Sequence, residues 1–254
     1  MFILLAALGI FALAHIAPFP FLLDATATTV WKMPADSPPT VYLTFDDGPN
    51  LSTTPALLDA LHRHGARATF FVLDKYVTAD TALLLRRANA DGHALALHSD
   101  TPALMFKPPS SVARALARWA EHLEAVTGTP PCRVFRSHAG GRSITMIAGV
   151  GQAGYTLVGW GWMLWDFNWF KQRTAADLVP RLSGRVSAGD IIVIHDGHHR
   201  KPSADRQYAV DVVERLVPEL QARGFRFGTI CPGRQVEPDP LRPAPDVNEP
   251  AAGL

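Results

Sequence analysis

The chain carries almost no net charge: 24 Lys and Arg against 23 Asp and Glu leave +1 over 254 residues. It has no basic cluster and no interleaving of aromatic and basic residues, so there is no field to hold a nucleic-acid backbone, and nucleic acid is argued against as a partner. Cysteine is scarce too. Cys132 and Cys231 are the only two and lie far apart, which rules out a Cys-x-x-Cys type of zinc site. They either bridge in an oxidising compartment or remain as two core thiols. No Lys or Arg precedes Lys32, whereas residues 2–23 are nearly all apolar. Such a run reads as a signal peptide or membrane anchor over residues 1–31, although Pro18 and Pro20 shorten its helix and no flanking cation sets its orientation. Ala12-Leu13-Ala14 and Ala25-Thr26-Ala27 both fit a small-x-small cleavage site. The expectation is a protein exported or membrane-anchored through this segment.

What is present is enough apolar residue, 48%, to bury a full core. From Val41 onward short apolar runs alternate with helix-period segments. Strands are predicted over 41–45, 68–73, 94–97, 133–135, 155–159, 190–194 and 225–231, each followed or preceded by a segment with helix start and stop signals such as Thr53-Thr54-Pro55 and Gly128. About seven strand–helix units in regular alternation indicate a parallel α/β sheet or barrel. The domain is expected to span residues 32–232, with a Pro-rich disordered tail over 233–254.

The stretch Thr44-Phe45-Asp46-Asp47-Gly48-Pro49 ends the first strand with two adjacent carboxylates. Side chains alternate along a strand, so the two point in different directions, and one can hold a cation while its neighbour stays free as a base. A turn whose Asp residues merely cap backbone amides is the plainer reading of Asp-Asp-Gly. Against it, His98, Arg136, His138, Asp166, Asn168, Trp169 and His195 also follow predicted strands, at the face where α/β barrels place their chemistry.

These residues resemble the motifs of the NodB-type polysaccharide deacetylases, carbohydrate esterase family 4. The resemblance implies an irregular (β/α)7 barrel that removes N- or O-acetyl groups from a glycan with a divalent metal, Zn²⁺ first among the candidates. It implies Asp46 as general base, oriented by Arg136, with His195 as general acid. Asp47 and His98 become metal ligands, Trp169 and Val193 the walls of the acetyl slot, and Gly140 part of the substrate side. This chain departs from the family pattern in three places, the last of them its run of tryptophans. The ligand motif that starts at His98-Ser99 lacks its second histidine, since Thr101, Pro102 and Ala103 offer no nitrogen. His138, Asp100 or extra water could complete the site, and His138 is preferred. Asn168 stands where an acid would support His195, and Asp166 is the nearby substitute. The tryptophans 160, 162, 165 and 169 either stack on sugars or pack the barrel's open end. His198-His199 reads as loop surface. Two rival readings stay open: a relative cleaving another C–N bond with little or no metal, and an inactive glycan-binding protein.

Overall fold

The computed structural model describes residues 29–163 and 174–231. The apolar N-terminal run, the stretch with Asp166, Asn168 and Trp169, and the Pro-rich tail lie outside them. Among the described residues no helix is long and apolar enough to cross a membrane.

Eight strands alternate with helices: β1 Thr40–Asp46, α1 Thr54–Arg63, β2 Ala68–Leu73, α2 Ala79–Ala90, β3 Ala94–His98, α3 Pro109–Thr127, β4 Val134–Arg136, α4 Ile144–Gln152, β5 Thr156–Leu157, β6 Trp162–Met163, α5 Ala175–Ser183, β7 Ile191–His195, α6 Gln207–Ala222 and β8 Arg226–Phe227. The strands run in the order β5-β4-β3-β2-β1-β7-β6, with β8 beside the start of β1. Every pairing between named strands is parallel. This is an incomplete (β/α) barrel. The described residues hold one strand more than the apolar runs predict, because β6 is a two-residue strand inside the aromatic stretch and too short to show as one.

The seam between β5 and β6 is spanned by an extended strap. Val30 donates its N–H to Leu157 and accepts from Gly159, and Met33 donates to Gly189. Lys32 adds a 2.8 Å ion pair to Asp190, which also accepts from the Trp162 indole at 2.8 Å.

Alternation along the strands sorts the core into two layers. Val41, Leu43, Phe45, Phe70, Val72, Leu95, Leu97, Phe135, Ile192 and Ile194 face the helices. Tyr42, Phe71, Ala94, Ala96, Val134 and Ile191 belong to the second cluster, inside the barrel. Carried to the strand ends, that interior face finishes β1, β3, β4 and β7 with Asp46, His98, Arg136 and His195. Four files of apolar residues therefore each end in a polar one at the same mouth.

The opposite end is plugged by the segment after β8. Ile230 is 1% exposed and donates its N–H to Thr69 Oγ1 at 2.8 Å, while Cys231 is disulfide-bonded to Cys132 just before β4, with Cα atoms 5.5 Å apart. The cross-link spans 99 residues, so its reduction should lower unfolding stability by about 2–5 kcal/mol. Urea denaturation with and without reductant reads this as a lower midpoint. Coincident curves would show that the bond contributes nothing.

Candidate active site

The site begins with the turn after β1. Asp47 has φ +68°, a left-handed conformation that few non-glycine residues adopt. It swings the Asp47 side chain away from the course of β1, so the two neighbouring carboxylates serve different surroundings. The turn fits only because glycine follows: a Cβ at Gly48 would lie 2.6 Å from both carboxylate oxygens of Asp196, and one at Gly197 would lie 1.9 Å from the Asp47 carbonyl oxygen. The Asp47-Gly48 and Asp196-Gly197 turns thus pack backbone to backbone at the ends of the adjacent strands β1 and β7.

Asp46 is 3% exposed and is held from one side. Arg136 Nη1 donates to Asp46 Oδ1 at 2.7 Å and to Thr44 Oγ1 at 2.7 Å, and Nη2 donates to the Gly159 carbonyl at 2.9 Å. The guanidinium is fully buried, lying 4.0 Å from the centre of the Phe71 ring. Burial lowers its pKa from the ordinary value and Asp46 opposes that; an arginine stays charged throughout. Asp46 pairs in register with His195 across β1 and β7, so the two share the interior face.

Asp47 looks elsewhere. Its Oδ1 lies 3.5 Å from His98 Nε2 and, though buried, has no hydrogen-bond partner. Burial by itself would raise the Asp47 carboxyl, but the neighbouring imidazole of His98, with those of His195 and His138, holds it well below the usual range. Burial lowers the fully buried His98, yet Asp46, Asp47 and the Arg136 carbonyl outweigh it and raise its affinity for a proton. Since His98 Nδ1 lies 2.7 Å from the Arg136 carbonyl oxygen, that nitrogen is the donor and Nε2 carries the lone pair or the exchangeable proton facing Asp47.

His138 comes from the turn after β4, where Ala139 and Gly140 both have positive φ, +50° and +65°. Ser99, the residue after His98, accepts the His138 backbone N–H at 2.9 Å, tying the two histidine-bearing loops together. Burial brings the His138 ring down to about 4, so it is neutral near pH 7. One ligand atom from each of Asp47, His98 and His138 lies within 4.8 Å of the others. A carboxylate, two imidazoles, an orphaned buried oxygen and a histidine whose far nitrogen is already engaged are donors that fit a divalent cation. Asp100 is turned away, in a 2.8 Å ion pair with Lys75 at the rim.

Val193 is 1% exposed and sits in register with Thr44, two residues below His195 on the interior face. Asp166 and Trp169 fall outside the described residues. Two groups at the mouth escape a reading of the sequence. Asp196 is fully buried, takes a 2.5 Å hydrogen bond from Thr54 Oγ1, and is pushed up to about 7 by burial and by Asp46 and Asp47. Asn50 donates to the carbonyls of Asp196 at 3.0 Å and Ala204 at 2.7 Å, binding the β1 turn to the β7 turn. The doubled Asp-Gly is the only sign of this in the sequence. His199, expected at the surface, faces Asp47 instead: its Nδ1 is 4.0 Å from Asp47 Oδ2. Of the other histidines, His64 lies 2.9 Å from Glu214 and His93 is buried, its Nδ1 accepting the Ala68 N–H at 3.2 Å.

A parallel α/β barrel with a buried Arg–carboxylate pair, a second carboxylate among histidines and a further histidine across the mouth defines a barrel hydrolase. Comparison with known proteins refines that class. The family model for polysaccharide deacetylase matches residues 34–158. A chitooligosaccharide deacetylase of Azorhizobium caulinodans is 31% identical over 192 residues, which is 73% of this chain and 90% of that protein. A peptidoglycan-N-acetylglucosamine deacetylase of Bacillus cereus is 27% identical over 211 residues, 82% of this chain and 93% of that one. Among solved structures, a family 4 acetyl xylan esterase from Clostridium thermocellum, in complex with a cobalt ion, superposes with a TM-score of 0.63 at 28% identity, covering 75% of this chain and 87% of that one. The chain belongs to the polysaccharide deacetylase family, and it is a hydrolase of that family.

Proposed function

We propose that this deacetylase is metal-dependent and exported, and that it hydrolyses the acetamide of an N-acetylated glycan, with O-acetyl esters as a second substrate class. The observation that carries the reading is the division of labour between two neighbouring carboxylates: Asp46 is locked onto Arg136, while Asp47 presents an unpartnered oxygen to imidazoles. Asp47, His98 and His138 would hold the ion, and one oxygen with two nitrogen donors suits Zn²⁺. Such an ion supplies Lewis acidity and a water of lowered pKa, which an unreactive amide carbonyl requires. Asp46 takes the proton of the attacking water on the oxygen that Arg136 leaves free. His195 protonates the departing nitrogen, work an imidazole performs near neutral pH, and Asp166 is assigned to stand behind it. Trp169 and Val193 are assigned to the acetyl-methyl slot and Gly140 to the substrate side. The names of the relatives, one for chitooligosaccharide and one for peptidoglycan N-acetylglucosamine, favour an oligomer of N-acetylated amino sugar. The disulfide and the apolar N-terminal run favour an oxidising compartment.

The test strips the protein with chelator and titrates Zn²⁺ calorimetrically, alongside Asp47→Ala and His138→Ala and an acetate-release assay on chito-oligosaccharides. One equivalent should bind tightly, release protons as it displaces that of His98, restore acetate release, and be lost in both variants. Binding that survives loss of His138 would assign the third ligand to Asp100 or water. Undiminished acetate release by the stripped protein would overturn metal dependence.

A further inference from the structure

We propose that His199 is a fourth protein ligand of the cation held by Asp47, His98 and His138, and that it is the one a substrate displaces. The inference rests on the metal-site reading above and concerns a residue outside that group of three.

Asp47 has an imidazole opposite each of its oxygens. Oδ1 faces His98 Nε2 at 3.5 Å and Oδ2 faces His199 Nδ1 at 4.0 Å. The His138 ring stands between the two, its centre 6.5 Å from that of His98 and 4.7 Å from that of His199. Donor atoms around a tetrahedral ion with bonds of about 2.0–2.2 Å sit roughly 3.3–3.6 Å from one another. The His98 contact already has that spacing; His199 lies 4.0 Å from the other Asp47 oxygen and outside the group of three whose donor atoms all lie within 4.8 Å of one another, so its ring must swing inward to reach the ion.

The loop that carries His199 is fastened from outside the site. Lys75, just after β2, donates to the His199 carbonyl, and Tyr76 Oη donates to the His198 carbonyl at 2.9 Å. These anchors hold the backbone, and the ring of His199 is stacked on that of His198, centres 4.8 Å apart, with its nitrogen toward Asp47. The neighbouring His198 is not equivalent: its Nδ1 is already engaged, accepting the Arg200 N–H at 3.0 Å.

The two buried donors, Asp47 and His98, cannot leave without exposing a buried charge or an empty cavity. His199, by contrast, is 29% exposed and sits on a loop. Four protein donors close a site in the manner of structural zinc, whereas catalysis needs one position open. The geometry makes His199 the removable member. It would hold the ion between turnovers and yield its place to the acetyl oxygen, compensating for the histidine that the Ser99–Ala103 stretch lacks.

The test compares Zn²⁺ affinity by chelator competition and the visible absorption of the Co²⁺-substituted protein in the parent, His199→Ala, His198→Ala and His138→Ala. His199→Ala should weaken Zn²⁺ binding by about 10–100-fold and change the intensity of the Co²⁺ bands as one nitrogen donor is replaced by water. His198→Ala should do neither. An unchanged affinity and Co²⁺ spectrum in His199→Ala, with His138→Ala still abolishing binding, would overturn the proposal while leaving the three-residue site standing. Failure of the parent to bind either ion would overturn both.

Discussion

Replacing Arg136 with methionine should cost about 3–5 kcal/mol of unfolding stability, the usual result of removing one partner from a buried ion pair. The size follows from what stays behind. Asp46 is 3% exposed, and without Nη1 its buried Oδ1 loses a 2.7 Å hydrogen bond. Thr44 Oγ1 and the Gly159 carbonyl lose donors at the same time. Methionine keeps much of the apolar contact with Phe71, so the loss reports charge and hydrogen bonding rather than a cavity. Urea denaturation of the parent, Arg136→Met and the double variant Arg136→Met/Asp46→Asn checks it. The double variant should recover part of the loss, because a neutral amide tolerates the site better than an unpaired carboxylate. A single-variant cost under about 1 kcal/mol would mean that the pair behaves like an exposed one.

Asp46→Asn alone should reduce acetate release by about 10²–10⁴-fold, the usual contribution of a positioned general base, while Zn²⁺ affinity stays within a few-fold. This contrast separates two carboxylates that the sequence sets side by side. Asp46 Oδ2 is 4.0 Å from His98 Nε2, beside the ligand group and not among its three members. The same change at Asp47 should abolish binding and activity together. Steady-state rates and calorimetry on both variants decide the matter. If Asp46→Asn retained near-parental turnover, the base would have to be sought elsewhere, with Asp196 the next buried carboxyl at the mouth. If it lost zinc, Asp46 would be a ligand.

Much of this architecture can be read from residue types. Short apolar runs over 41–45, 94–97 and 190–194, buried on both faces, mark the strands, and the polar residues that close them declare a shared mouth. His138 stands out in the sequence because it occupies a strand end where a ligand is otherwise short. What escapes such a reading depends on contacts between loops that are remote in the chain. His199 is aimed by Lys75 and Tyr76, more than a hundred residues earlier. Asp196 acquires its character from Thr54 and from the burial that Gly48 permits. The pairing of Cys132 with Cys231 depends on a 5.5 Å separation that spacing alone does not disclose. β6 is invisible because two residues carry no period.

The strap from Val30 to Met33 bears on how such a protein can be trimmed. Trp31 fills the space over Gly159, where a Cβ would come within 2.2 Å of its ring, and lies 4.7 Å beneath the guanidinium of Arg142. A peptidase acting after Ala14 or Ala27 leaves this segment attached. One acting after Lys32 removes the staves that join β5 to the start of β7, and with them the backing of Gly159, whose carbonyl holds Arg136 in place. Any N-terminal trimming that passes Val30 therefore takes its residues from the wall of the active site.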